Sequence, residues 1–81
     1  MPDIEMKDLI EIMAKALVDK PEEVITTEIA GQHSSMIELK VAKEDIGKVI
    51  GKKGRTAQAL RNILMSASAK LKKRCSLEIL D

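Results

Sequence analysis

Along this chain the spacing of apolar positions switches between a helical period and a period of two. From Asp3 to Asp19, Leu9, Met13, Ala16 and Leu17 recur at helical spacing, with Ile10 and Ile12 widening the stripe, and predict a first helix. Pro21 marks its stop, because proline disfavours helical backbone in the residue before it. From Glu23 the period becomes two: Ile25, Thr27 and Ile29 alternate with Val24, Thr26 and Glu28, and the density of β-branched residues predicts a strand. Residues Gly31 to Ser35 supply turn chemistry. Beyond them Ile37, Leu39 and Val41 alternate with Met36, Glu38 and Lys40, so a second strand closes an antiparallel hairpin. Glu44 to Ile50 fits a short helix with Ile46, Val49 and Ile50 as its apolar positions. Its two early carboxylates suit the positive end of a helix dipole. After Gly51-Lys52-Lys53-Gly54, the stretch from Arg55 to about Lys73 carries Ala57, Leu60, Leu64, Ala67 and Leu71 on one face and predicts the longest helix. Ser76 to Leu80 closes the chain as a third strand, Leu77 and Ile79 inward.

The order α-β-β-α-α-β predicts an α+β fold in which three strands are packed on one face by three helices. At 81 residues the chain is expected to be one domain, 1–81, with a small core. A hydrophobic share of 44% and a charged share of 33% suit a soluble globular fold. No apolar run reaches the length of a membrane span, and the opening MPDIEMKD is too acidic for a signal peptide, so a cytoplasmic location is expected. One cysteine and one histidine leave no metal cluster to assemble. Cys75 reads as a buried small hydrophobe and His33 as a solvated turn residue.

Charge changes the picture. Residues 1–45 carry five basic and eleven acidic side chains, a balance of −6. Residues 46–77 carry nine basic side chains and no acidic one. A helix selected only for solubility mixes signs to gain i,i+4 pairs, so the basic half reads as built to meet an anion. The chain has no Phe, Tyr or Trp, which excludes modules that stack bases on aromatic rings. Nucleic-acid binding would have to rely on backbone groups, cations and aliphatic surface.

The Gly-Lys-Lys-Gly turn offers those groups. Gly51 and Gly54 let the chain turn tightly and bring its backbone close to a ligand. The first N–H groups of the following helix lack intrahelical partners and carry partial positive charge. Lys52 and Lys53 at the tip, and Arg55 just inside the helix, add cations: together a short phosphate clamp. Ile46, Val49 and Ile50 are expected to project beside it as an aliphatic wall for bases. Phosphates on one side and bases on the other describe a groove for a short single strand.

The segment V-I-G-K-K-G-R-T between two helices resembles the (I/V)-I-G-x-x-G signature of K-homology (KH) domains. The αββααβ order matches their type II, prokaryotic arrangement over nearly the whole chain. The similarity is greatest to the small single-domain bacterial KH proteins of the KhpA type. The resemblance implies binding of about four nucleotides of single-stranded RNA by Gly51, Lys52, Lys53, Gly54, Arg55 and Thr56. Lys48 and Arg61 flank that clamp, and Ile46, Val49 and Ile50 line the groove. It further implies an RNA chaperone or post-transcriptional regulator linked to cell shape and the cell wall. The implied partners are RNA and a second copy or a larger KH-containing protein. At about 100° per residue from Leu60, Ile63 falls at the edge of the buried stripe of the long helix and Met65 on its opposite, polar side, so docking is expected near these two residues. No cofactor and no small-molecule substrate are expected.

Three rivals fare worse. A phosphate-binding loop of the nucleotide-hydrolase kind needs four residues between its glycines and Ser or Thr after the lysine. Gly47 to Lys53 has three, then a second lysine, and follows a helix instead of a strand. An interaction module that never touches RNA would explain the glycines but not the lysines or the acid-free half. An enzyme finds no paired carboxylates and no nucleophile with its base.

Overall fold

Pairing of the two alternating runs gives the sheet its first half in the computed structural model, which describes residues 5–70 and 74–80. Strand β1 (Ile25–Ala30) runs antiparallel to β2 (Ser34–Lys40), with Ile25 opposite Lys40 and Ala30 opposite Ser35. Strand β3 (Arg74–Ile79) lies parallel to β2 on its other side, so the sheet is mixed, in the order β1-β2-β3. A parallel neighbour requires a crossover, and helices α2 (Ile46–Ile50) and α3 (Arg55–Lys70) provide it. Helix α1 (Met6–Leu17) precedes β1, and all three helices cover one face of the sheet. The α+β architecture is as the sequence predicts.

The core joins Ile10 and Ala14 of α1 to Ile37 and Leu39 of β2, Val49 of α2, Leu60 and Leu64 of α3 and Leu77 of β3. Several expected positions move. The first helix ends at Leu17, and its predicted start at Asp3 lies outside the described residues. Its buried row is Ile10, Ala14 and the following Val18, flanked by Met6 and Met13; Ala16, Leu17 and Ile12 are exposed. The apolar arc of this helix is wide, running from Ile12 and Leu9 round to Ala14, so spacing alone does not choose which part of it is buried. The small Ala14 is fully buried in that row.

In α3 the row Leu60, Leu64, Ser68 at intervals of four is buried, and Ala67 is only half-buried. Ser68 is tolerated there because its hydroxyl donates to the Met65 carbonyl at 3.0 Å, a bond within the helix. The expected core residue Leu71, with Lys72 and Lys73, lies outside the described residues. In β1 the half-buried inner positions are Thr26 and Glu28, while Ile25 and Ile29 face solvent on the uncovered side. Strand β3 starts at Arg74, two residues earlier than expected, with Leu77 inward and Cys75 and Ile79 half-buried. Among the described residues no helix is long and apolar enough to cross a membrane.

Candidate nucleic-acid interface

Helix α2 stops where Gly51 donates its N–H to the Gly47 carbonyl at 2.8 Å and turns to φ +76°, ψ 170°. The next three residues form a tight turn: Gly54 N–H reaches the Gly51 carbonyl at 3.1 Å, and Arg55 N–H bonds the Lys52 carbonyl. Gly51, Lys53 (φ +59°) and Gly54 (φ +74°) all have left-handed φ, a region L side chains enter at a cost. The two glycines are required for different reasons. A Cβ on Gly51 would overlap the Thr56 side chain and stand 2.8 Å from its backbone nitrogen. Thr56 therefore seats the turn from behind. A Cβ on Gly54 would meet nothing within 4 Å, so this backbone lies open to an approaching group.

Lys52, Lys53, Arg55 and, further along α3, Arg61 are exposed. None of the four is paired with a carboxylate among the described residues. The first turn of α3 contains no acidic residue, so nothing there cancels its dipole. The turn thus gathers unneutralised cations and a bare backbone at the positive end of a 16-residue helix.

Two expected site residues, Val49 and Lys48, are placed differently. Val49 is 0% exposed and belongs to the core, so it cannot be part of a wall for bases. The reason is geometric: α2 is a five-residue helix, and its central apolar position points into the sheet. Ile46 and Ile50 are half-buried, Ile46 against the core, and retain some accessible surface. Lys48 is drawn into ion pairs at 2.6 Å with Asp19 and 3.4 Å with Asp45. Hydrogen bonding to Asp19 is the main cause raising its pKa above the ordinary lysine value, with Asp45 adding to it.

Asp45 was expected only to complement a helix dipole, but it is an anchor. The short helix begins as a 3₁₀ turn, Lys43–Asp45, that feeds α2. The Asp45 side chain is 1% exposed and accepts from the backbone N–H groups of Asp19 (3.3 Å) and Lys20 (3.0 Å). Burial pushes its carboxyl up. The N–H groups of Lys20 and Asp19, then Lys48, outweigh that and hold its pKa below the usual range. Alongside, Lys20 binds Glu44 at 2.8 Å. This cluster ties the segment after α1 to the start of α2, and so fixes the helix that presents the Gly-Lys-Lys-Gly turn. Sequence spacing gave no sign of it, because the bonds that join its two segments span 24 to 29 residues.

A model of the KhpA/KhpB KH domain matches residues 7–79. The chain belongs to that KH family. Its KH relatives include the RNA-binding protein KhpA of Caldanaerobacter subterraneus, 55% identical over 75 residues, or 93% of this chain and all of the relative. KhpA of Clostridium perfringens is 52% identical with the same coverage. The RNA-binding protein KhpA of Chlamydia caviae is 49% identical over 94% of this chain and 97% of its own length. Among solved structures, a GDP·AlF4-bound Era variant from Aquifex aeolicus superimposes with a TM-score of 0.68 at 15% identity. The match covers 95% of this KH chain and 31% of that one, and it speaks to the fold alone.

Proposed function

We propose that this KH domain binds short single-stranded RNA, clamping about four nucleotides by their backbone at Gly51–Arg55. The observation that carries the reading is the turn itself. Open backbone at Gly54 and the exposed cations Lys52, Lys53 and Arg55 stand at the N-terminus of α3, with no carboxylate paired to them among the described residues. Arg61 extends the basic track, Thr56 buttresses Gly51, and Ile46 and Ile50 supply the apolar surface beside the clamp. Lys48 supports the site through α2. The RNA-binding names of the KhpA relatives point the same way. In this reading the domain has no catalytic task. It acts as an RNA chaperone or post-transcriptional regulator, with the links to cell shape and cell wall that the family resemblance implies.

A clamp for so few nucleotides gains from a second one, since linked sites raise avidity through effective concentration. Ile63 and Met65 of α3, 45% and 63% exposed, favour docking of a second KH-containing chain on that helix. The test of RNA binding is its salt dependence on short single-stranded RNA. Three or four phosphate contacts predict a slope of log K against log salt of roughly −2 to −3. Salt-independent affinity would overturn phosphate recognition.

A further inference from the structure

Gly47 stands inside a helix, where nothing in the fold asks for a glycine. The other three glycines sit at turns: Gly31 closes the hairpin, and Gly51 and Gly54 carry left-handed backbone. Gly47 has ordinary helical backbone within α2, a conformation open to any L residue. A Cβ placed on it would meet nothing within 4 Å, so no neighbour requires its absence. Glycine nevertheless weakens a helix interior relative to alanine, by about four- to fivefold in the folding equilibrium. Folding alone would favour a side chain here. A glycine kept in a helix answers to packing or to function, and the empty space around Gly47 leaves function.

Its place beside the turn says which function. The Gly51 N–H donates to the Gly47 carbonyl at 2.8 Å, so Gly47 stands one helical turn before the clamp. At about 100° per residue it lies about 160° round α2 from the buried Val49, on the outer side of the helix. Half-buried Ile50 flanks it on one side and exposed Lys48 on the other. Gly47 and Gly51, four residues apart, leave successive turns of main chain bare, and this strip leads into the Gly-Lys-Lys-Gly turn.

A strand held at Gly51–Arg55 meets that strip where it leaves the turn on the α2 side. We propose that the sugar–phosphate chain of the RNA lies directly against the main chain of α2 at Gly47, and that the residue is glycine to admit it. Gly47 is then a contact position in its own right, and it extends the clamp from a turn to a track along α2. This contact presupposes RNA binding at the Gly-Lys-Lys-Gly turn.

Gly47→Ala and Gly47→Gln add a methyl and a long polar side chain at the same place, and both residues form helix better than glycine. The measurement is titration of short single-stranded RNA into the purified intact chain, with a denaturant and thermal melt of each sample. The two readouts should move in opposite directions. Gly47→Ala should raise the folding equilibrium constant by up to about fivefold. It should weaken RNA affinity by about 5- to 150-fold, the usual effect of forcing a methyl into a close contact. Gly47→Gln should melt no lower than the parent and bind more weakly still. A merely structural role would move stability and affinity the same way. RNA affinity equal to the parent in a stabilised Gly47→Ala overturns the proposal and gives the strip to a partner other than RNA. A lowered melting temperature in Gly47→Ala also overturns it, because the glycine would then serve the fold. So does a Gly47→Gln variant that binds better than Gly47→Ala. If Lys52→Asp with Lys53→Asp abolishes binding while Gly47→Ala leaves it unchanged, the clamp stands and the Gly47 contact falls. A parent that binds no RNA overturns both.

Discussion

Replacing each glycine of the turn with alanine separates the two demands on this backbone. Gly51 and Gly54 share nearly the same φ, +76° and +74°. An L residue held in left-handed backbone costs roughly 1–2 kcal/mol, so Gly54→Ala should lose about that much and no more. Its Cβ would stand in open space. Gly51 adopts ψ 170° as well, a combination that is almost exclusive to glycine and costs about 1–3 kcal/mol. Its Cβ would also overlap Thr56 and crowd the backbone nitrogen of that residue, which a side-chain rotation cannot relieve. Overpacking of this kind adds about 1–3 kcal/mol, giving a total of roughly 2–6 kcal/mol for Gly51→Ala. Urea unfolding followed by far-ultraviolet circular dichroism reads both, with the midpoint falling further for Gly51→Ala at a similar slope. Gly54→Ala should stay folded at 25 °C yet bind RNA more weakly, since its methyl stands on the open backbone. Equal stability losses, or a larger loss at Gly54, would refute the assignment of Thr56 as the buttress of the turn.

Other outcomes follow from the same geometry. Val49→Ser, in the core, should cost about 2–4 kcal/mol of stability in a denaturant melt; a loss of RNA binding without that cost would return Val49 to the groove. Lys53→Gly relieves a left-handed lysine and should raise stability by roughly 1 kcal/mol while weakening RNA binding; a destabilised variant would mean the Lys53 side chain packs. Asp45 is held below its ordinary pKa, so its contribution is complete above the unfolded carboxylate value and is lost as pH falls through the folded one. Melting temperature should therefore decline from about pH 4 downward, and Asp45→Asn should flatten that limb while lowering stability at neutral pH. An unchanged acid limb would show that other carboxylates set it.

What the sequence disclosed was whatever depends on near neighbours. The period of two across Ile37, Leu39 and Val41, the change of period at Gly51 and the absence of carboxylates from residues 46–77 are local features, and they led to the sheet, the turn and its charge. The face presented by each short element was not local. Helix α1 has a charged face of Lys7, Asp8, Glu11 and Lys15, but its apolar arc is wider than the contact it makes, and only the packing beneath it selects Ile10 and Ala14 over Leu17. Helix α2 has three apolar positions in five residues, and packing sends Val49 inward while Ile46 and Ile50 keep some surface. Lys48 looked like one more cation of the clamp until folding brought Asp19 to within 2.6 Å. In β1 the alternation predicts a strand but not which side is covered, and Thr26 and Glu28 lie on the helix side, where Ser35 donates to Glu28 at 3.1 Å. A polar pair satisfied across two strands is invisible in either strand alone.

The reading rests most directly on the two lysines at the tip of the turn. Lys52→Asp with Lys53→Asp replaces two unpaired cations with anions where phosphates would sit. The fold should tolerate this: both residues are exposed, aspartate accepts left-handed backbone better than most residues, and negative charge suits the N-terminus of α3. Affinity for a short single-stranded RNA, measured beside a thermal melt of the same sample, decides the matter. The account predicts an unchanged or slightly raised melting temperature with RNA binding abolished. Binding equal to the parent in a folded double variant would contradict it.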